Sequence, residues 1–195
     1  MKFLAAVVTA VAATGTQQVI FDSYAPASVG SFGTPISAEQ GIAVQFRSLD
    51  LCGVPMTLDY VNFTVSTENI DNNSTWLQVD LCPAVNGLPN CTANTHEVQR
   101  FPLTTVAKRI QYQWIPNYTV VLQPSTRYWF VVLSNAEKIN HAAIWMDGLK
   151  RFTKENDPND DVLSAFTLSD AGEWAADPPT NNRTVPSMQV VASSN

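Results

Sequence analysis

Histidine is almost missing from this chain of 195 residues, with two in all, and cysteine is scarce at three. Charged residues make up only 14%. No stretch reaches the roughly 18 consecutive apolar residues that a membrane span requires. Each scarcity excludes something. A nucleophilic triad needs a histidine base, and neither His96, in a loop, nor His141, at a strand start, is accompanied by a G-x-S-x-G elbow. Three cysteines without neighbouring histidines fall short of a four-ligand zinc site. Seventeen acids against eleven cations leave a net charge of −6. The basic stripe that nucleic acid or an anionic membrane would need is therefore lacking. Lys150-Arg151 with Lys154 comes nearest, and Glu155, Asp157, Asp160 and Asp161 follow at once. No E-x-E or E-x-D-x-E motif is present. Carboxylates brought together from distant strands stay open as an alternative.

The N-terminus reads as an export signal. One cation, Lys2, precedes an apolar run from Phe3 to Ala13, and Val11-Ala12-Ala13 has the small residues of a cleavage site near Ala13 or Gly15. Residues 1–15 are thus expected to be a signal peptide, and 16–195 a single domain. Asn-x-Ser/Thr sequons start at Asn62, Asn72, Asn73, Asn90, Asn117 and Asn182, the 72/73 pair counting as one place. About 2.5 would arise by chance from this composition, so the excess points to glycosylation in a eukaryotic secretory pathway. The expected product is soluble, secreted and extracellular.

Strand signals dominate the rest. Short β-branched or aromatic runs recur near residues 18–24, 42–49, 57–66, 75–82, 98–103, 118–123, 126–134, 142–148, 165–169 and 187–193, separated by Gly, Pro, Asn and Asp. No window holds a helical apolar period. Residues 75–82 alternate, with Leu77, Val79 and Leu81 on one face. Residues 57–66 alternate imperfectly, and a bulge near Tyr60 would reconcile them. Residues 126–134 are apolar throughout, as a strand covered on both faces should be. Leu122-Gln123-Pro124-Ser125-Thr126-Arg127-Tyr128 has the spacing of a tyrosine corner, whose phenol bonds back to upstream backbone. About ten short strands predict an all-β, antiparallel sandwich of jelly-roll or Ig-like Greek-key type.

Cys82 and Cys91 flank Val85-Asn86-Gly87-Leu88-Pro89, where Asn-Gly tolerates positive φ. A disulfide across this turn would remove roughly 2.5–3 kcal/mol of unfolded-state entropy. Cys52 is left over as a buried thiol, an intermolecular bridge or the true partner of Cys82. The acidic loop holding Asp157, Asp160 and Asp161 offers oxygen ligands for calcium, the one cofactor candidate, but lacks EF-hand order; a solvated loop is the competing reading. Of five tryptophans, Trp129 reads as core and Trp174 as the candidate ligand platform.

The chain resembles the choice-of-anchor R type of secreted β-sandwich domain. The matching pieces are VIFDSYAPASVGSFG, GIAVQFRS, MTLDYVNFTVS, LQVDLCPAVNGLPN, VVLQPSTRYWFVVLS, AAIWMDG, the Trp174 segment and MQVVAS, across residues 18–193. The paired cysteines and the missing anchor tail depart from that pattern. The resemblance implies an extracellular module and no catalytic residues. The expected function is therefore non-catalytic binding of an extracellular glycan or protein, at a cell wall or on carbohydrate. The alternative is a polysaccharide hydrolase with carboxylates from separate strands. No nucleic acid and no membrane span are expected.

Overall fold

The computed structural model describes residues 15–26, 32–70, 74–94, 97–167 and 173–194. Residues 1–14 of the expected signal peptide, together with Asn73 and His96, lie outside them. Among the described residues the strands are β1 (Gln17–Asp22), β2 (Gly33–Ile36), β3 (Ile42–Arg47), β4 (Met56–Ser66), β5 (Trp76–Val85), β6 (Leu88–Pro89), β7 (Gln99–Pro102), β8 (Ile110–Trp114), β9 (Val121–Leu122), β10 (Arg127–Ser134), β11 (Ala143–Met146), β12 (Ser164–Thr167), β13 (Trp174–Ala176) and β14 (Met188–Ser194). No described helix is long and apolar enough to cross a membrane.

These strands make two antiparallel sheets packed face to face. The first runs β1-β14-β4-β11-β2, with β8 and β9 on the other side of β4; the second runs β13-β12-β3-β10-β5-β6, with β7 beside β5. The inner faces meet through Phe46, Leu58, Val61, Phe63, Leu77, Val79, Leu81, Phe130, Trp145 and Val190, all buried. Phe130 centres the aromatic packing, 5.5 Å from both Phe63 and Trp114 and edge-on to Trp145. Each such ring contributes about 1.5–3 kcal/mol through burial, plus up to ~1.5 kcal/mol from its aromatic neighbours.

The imperfect alternation in β4 is a bulge. Val191 lies opposite Tyr60 and Ala192 opposite Leu58, so Asp59 is the extra residue and accepts a hydrogen bond from Ser193. The tyrosine corner is present: Gln123 N–H donates to the Tyr128 hydroxyl at 2.8 Å. Asn86 and Gly87, at φ 52° and 79°, form the two-residue turn that places Val85 opposite Leu88. Strand β10 is covered on both sides. Tyr128, Phe130 and Val132 face the main core, while Trp129 and Val131 join Ala43, Cys82 and Ala165 in a second apolar cluster.

Four strands go beyond the ten expected: β2, β6, β8 and β13. Three have four residues or fewer, and β2 carries Pro35 at an outer edge, where a missing N–H blocks further pairing.

Candidate functional site

Period-two alternation in β1, β14, β4 and β8 sends one residue of each to the outer face of the first sheet, and pairing brings them into a row. Gln113 lies opposite Asn62, Asn62 opposite Gln189, and Gln189 opposite Asp22. The amides are polarised in one direction. Gln113 Nε2 donates to Asn62 Oδ1 at 3.3 Å, and Asn62 Nδ2 donates to Gln189 Oε1 at 3.2 Å. Gln189 Nε2 then donates to Asp22 Oδ2 at 2.9 Å. The chain of donors ends on a carboxylate, which strengthens each bond upstream. Each primary amide spends one of its two N–H groups within the row. Beside it, Thr64, Gln111, Ser187 and Tyr24 line a hollow of about 260 Å³. Tyr24 is 55% exposed, and its N–H donates to Asp22 Oδ1 at 2.6 Å. The Lys150 ammonium lies 5.6 Å from the centre of its ring. Sequence reading singled out only Asn62 here, as a sequon. The signal for the rest was the alternation in IQYQW and MQVV.

A second site runs along the open edge of the sandwich, between β2 and β11 on one side and β12 on the other. Three hollows of about 300, 240 and 320 Å³ share lining residues there. Thr184 borders all three, Asp147 the first two, and Ser164 and Asp177 the last two. Two carboxyls, each just past the end of a strand (β11 and β13), thus border one groove, a pairing no local motif announced. Burial raises both above the usual carboxylate range. Asp177 is the more exposed of the two. Glycoside hydrolysis needs environments that push two carboxyls apart, one protonated and one ionised. Here both move the same way.

The calcium candidates sit in an arginine–carboxylate network. Arg47 and Arg127 lie directly opposite each other on β3 and β10, a like-charge pair that requires an anion between them. Asp161 supplies it. Arg47 donates to both carboxylate oxygens at 2.7 Å, and Arg127 Nε donates at 2.8 Å. Burial pushes the Asp161 carboxyl up, but those hydrogen bonds and charges outweigh it and hold it below the usual range. Asp157 pairs with Arg183 and accepts the N–H groups of Asp161 and Val162 at 2.8 and 3.0 Å. Asp160 pairs with Lys154, and its Oδ1 lies 3.3 Å from Arg183 Nη1, an ion-pair contact outside hydrogen-bond geometry. A calcium ion would have to displace these cations; Glu155, Asn156, Pro158 and Asn159 of the same loop are exposed.

Cys82 and Cys91 form a disulfide with Cα atoms 4.8 Å apart. Asp80 lies close to both sulfurs, but thiols joined in a disulfide are not free to ligate metal. Asp80 accepts hydrogen bonds from Leu81 N, Asn94 Nδ2 and the Tyr118 hydroxyl. Burial, then the nearby carboxylate charge, raises the Tyr118 phenol. Cys52 is free and exposed at a turn tip, which removes the buried-thiol reading and the pairing with Cys82. Trp174 is half-buried and packs against the second apolar cluster. Trp129 is fully buried, as expected. His141, half-buried, borders a polar hollow with Ser74, Asn135 and Lys138.

Of the expected sequon asparagines, Asn117 and Asn182 are exposed, and Asn62 and Asn90 are half-buried. Compared with known proteins, the chain matches no family model and no curated sequence.

Proposed function

We propose that the protein is a secreted, N-glycosylated β-sandwich that binds an extended neutral polysaccharide without cleaving it, on the outer face of its first sheet. The observation that carries this reading is the one-way amide row from Gln113 through Asn62 and Gln189 to Asp22, with Tyr24 at its end. A sugar hydroxyl both donates and accepts, and an amide row offers both partners at fixed intervals. Four strands at ~4.8 Å spacing set those partners over about 14 Å, the reach of a short oligosaccharide. The exposed Tyr24 ring supplies the apolar surface that a sugar's C–H face stacks on. The net charge of −6 disfavours anionic polymers. Kinship with choice-of-anchor R domains belongs to the same proposal, supported by the quoted segments that coincide with strands.

Affinity gel electrophoresis through mixed-linkage β-glucan, xylan and mannan tests it. Gln189→Ala deletes an inner amide of the row, and losing one or two hydrogen bonds to sugar hydroxyls at ~1 kcal/mol each should weaken retardation by roughly tenfold. Retardation unchanged in Gln189→Ala and in Tyr24→Ala would remove the face from consideration. A second reading, polysaccharide hydrolysis in the edge groove, is favoured by one observation: Asp147 and Asp177 line the same hollow. Release of reducing ends from the same polysaccharides, abolished by Asp147→Asn, would replace the binding reading with this one.

A further inference from the structure

We propose that an N-glycan on Asn62 caps the polysaccharide face, so that occupancy of this one sequon decides whether a molecule can bind. The inference rests on the binding face argued above and names its regulation. Asn62-Phe63-Thr64 is a sequon, and Asn62 is also the central amide of the row, with Thr64 lining the adjoining hollow. The other described sequon asparagines lie off this face. Asn90 follows β6 beside the second sheet, Asn117 hydrogen-bonds Gln99 of β7, and Asn182 precedes the buried Arg183.

Modification would replace one Nδ2–H of Asn62 by a bond from Nδ2 to C1 of the first sugar. The donor is a polyprenyl-diphosphate oligosaccharide: its C1–O bond breaks, the lipid diphosphate leaves, and the displaced proton passes to solvent. The remaining N–H can still donate to Gln189, and Asn62 itself lines the hollow of about 260 Å³, so the attached sugar starts at that hollow. The glycan then covers Gln189, Gln111 and Thr64, the groups an external saccharide would use.

The topology also sets when this is decided. In the folded sheet Asn62 is flanked on both sides, by β8 and β14, and the next residue, Phe63, is buried. A transferase that needs an accessible extended sequon must act before the sheet closes. Both flanking strands come later in the chain, and Gln189 is 127 residues downstream. At ~5–20 residues per second, synthesis leaves Asn62 open for about 6–25 s. Each molecule is therefore fixed as binder or non-binder once, during synthesis.

The test uses the full chain made in a glycosylating secretory host and in a bacterial periplasm, which forms disulfides without adding the glycan. Glycopeptide mass spectrometry assigns occupancy of Asn62. The separated forms are then run through gels of mixed-linkage β-glucan, xylan and mannan. The expected result is retardation of the Asn62-vacant form, with the occupied form weaker by at least about tenfold. Thr119→Ala, which deletes the Asn117 sequon, should leave that difference unchanged. Equal retardation of occupied and vacant forms, or Asn62 vacant in every molecule from the glycosylating host, overturns the cap and leaves the binding face standing. A periplasmic protein that no gel retards overturns the binding face, and the cap with it.

Discussion

Replacing Arg183 by leucine should be among the most damaging changes at the sandwich edge. Its side chain is 9% exposed and that of its partner Asp157 is 5% exposed. Arg183 Nε donates to the Val162 carbonyl at 2.7 Å and Nη1 to the Thr180 carbonyl at 2.9 Å, while Nη2 faces Asp157. Leucine removes all three contacts and leaves the Asp157 charge with two backbone N–H donors and no cation. Breaking a buried pair from one side costs ~3–5 kcal/mol. In a domain of this size that is a melting temperature lower by roughly 6–20 °C. Urea unfolding followed by tryptophan fluorescence would read it as a lower midpoint at unchanged slope. Asp157→Asn supplies the second arm of a double-mutant cycle, and the double variant should fall short of the summed losses by at least ~2 kcal/mol. A loss under ~1 kcal/mol for Arg183→Leu, or strict additivity, would show that the pair is solvated and contributes little. Calcium at about 10 mM should leave the midpoint unmoved. A site at a hundredfold excess over its Kd would add ~2.7 kcal/mol.

Removing the disulfide with Cys82→Ala and Cys91→Ala should cost about 2.6 kcal/mol from the loop-closure relation, lowering the melting temperature by roughly 5–10 °C in calorimetry. Asp161→Asn should destabilise at neutral pH. The Asp161 carboxyl is held below its unfolded range, so the folded state binds the proton less readily there, and the wild-type advantage should vanish as pH falls through the lowered folded value. Asp147 has the opposite sign. Its raised carboxyl binds the proton more readily when folded, so Asp147→Asn should match wild type in acid and exceed it once pH rises through the raised value, in denaturation midpoints from pH 3 to 7.

Several features were legible because their cause is local. The Asn86-Gly87 turn follows from two residues that tolerate positive φ, and the tyrosine corner from a fixed spacing between a turn and the strand after it. The bulge at Asp59 was readable as a break in alternation. The short strands β2, β6 and β13 were not legible, because two to four residues carry too little pattern to stand apart from a loop. Strand β8 did carry the pattern, with Ile110, Tyr112 and Trp114 alternating with Gln111 and Gln113, the signal of a strand buried on one face.

That this chain folds as layered antiparallel strands follows from short-range features, because alternation, turn chemistry and disulfide spacing act over a few residues. The partners of the polar residues come instead from strand pairing across the sheets. Register turned Asp22, Asn62, Gln113 and Gln189 into one row, although Asp22 and Gln189 are 167 residues apart. It set Asp161 between two opposed arginines and brought Asp147 and Asp177 to one groove. A side chain's partners across a sheet depend on which strands pair and in what register, and no stretch of neighbouring residues carries that information.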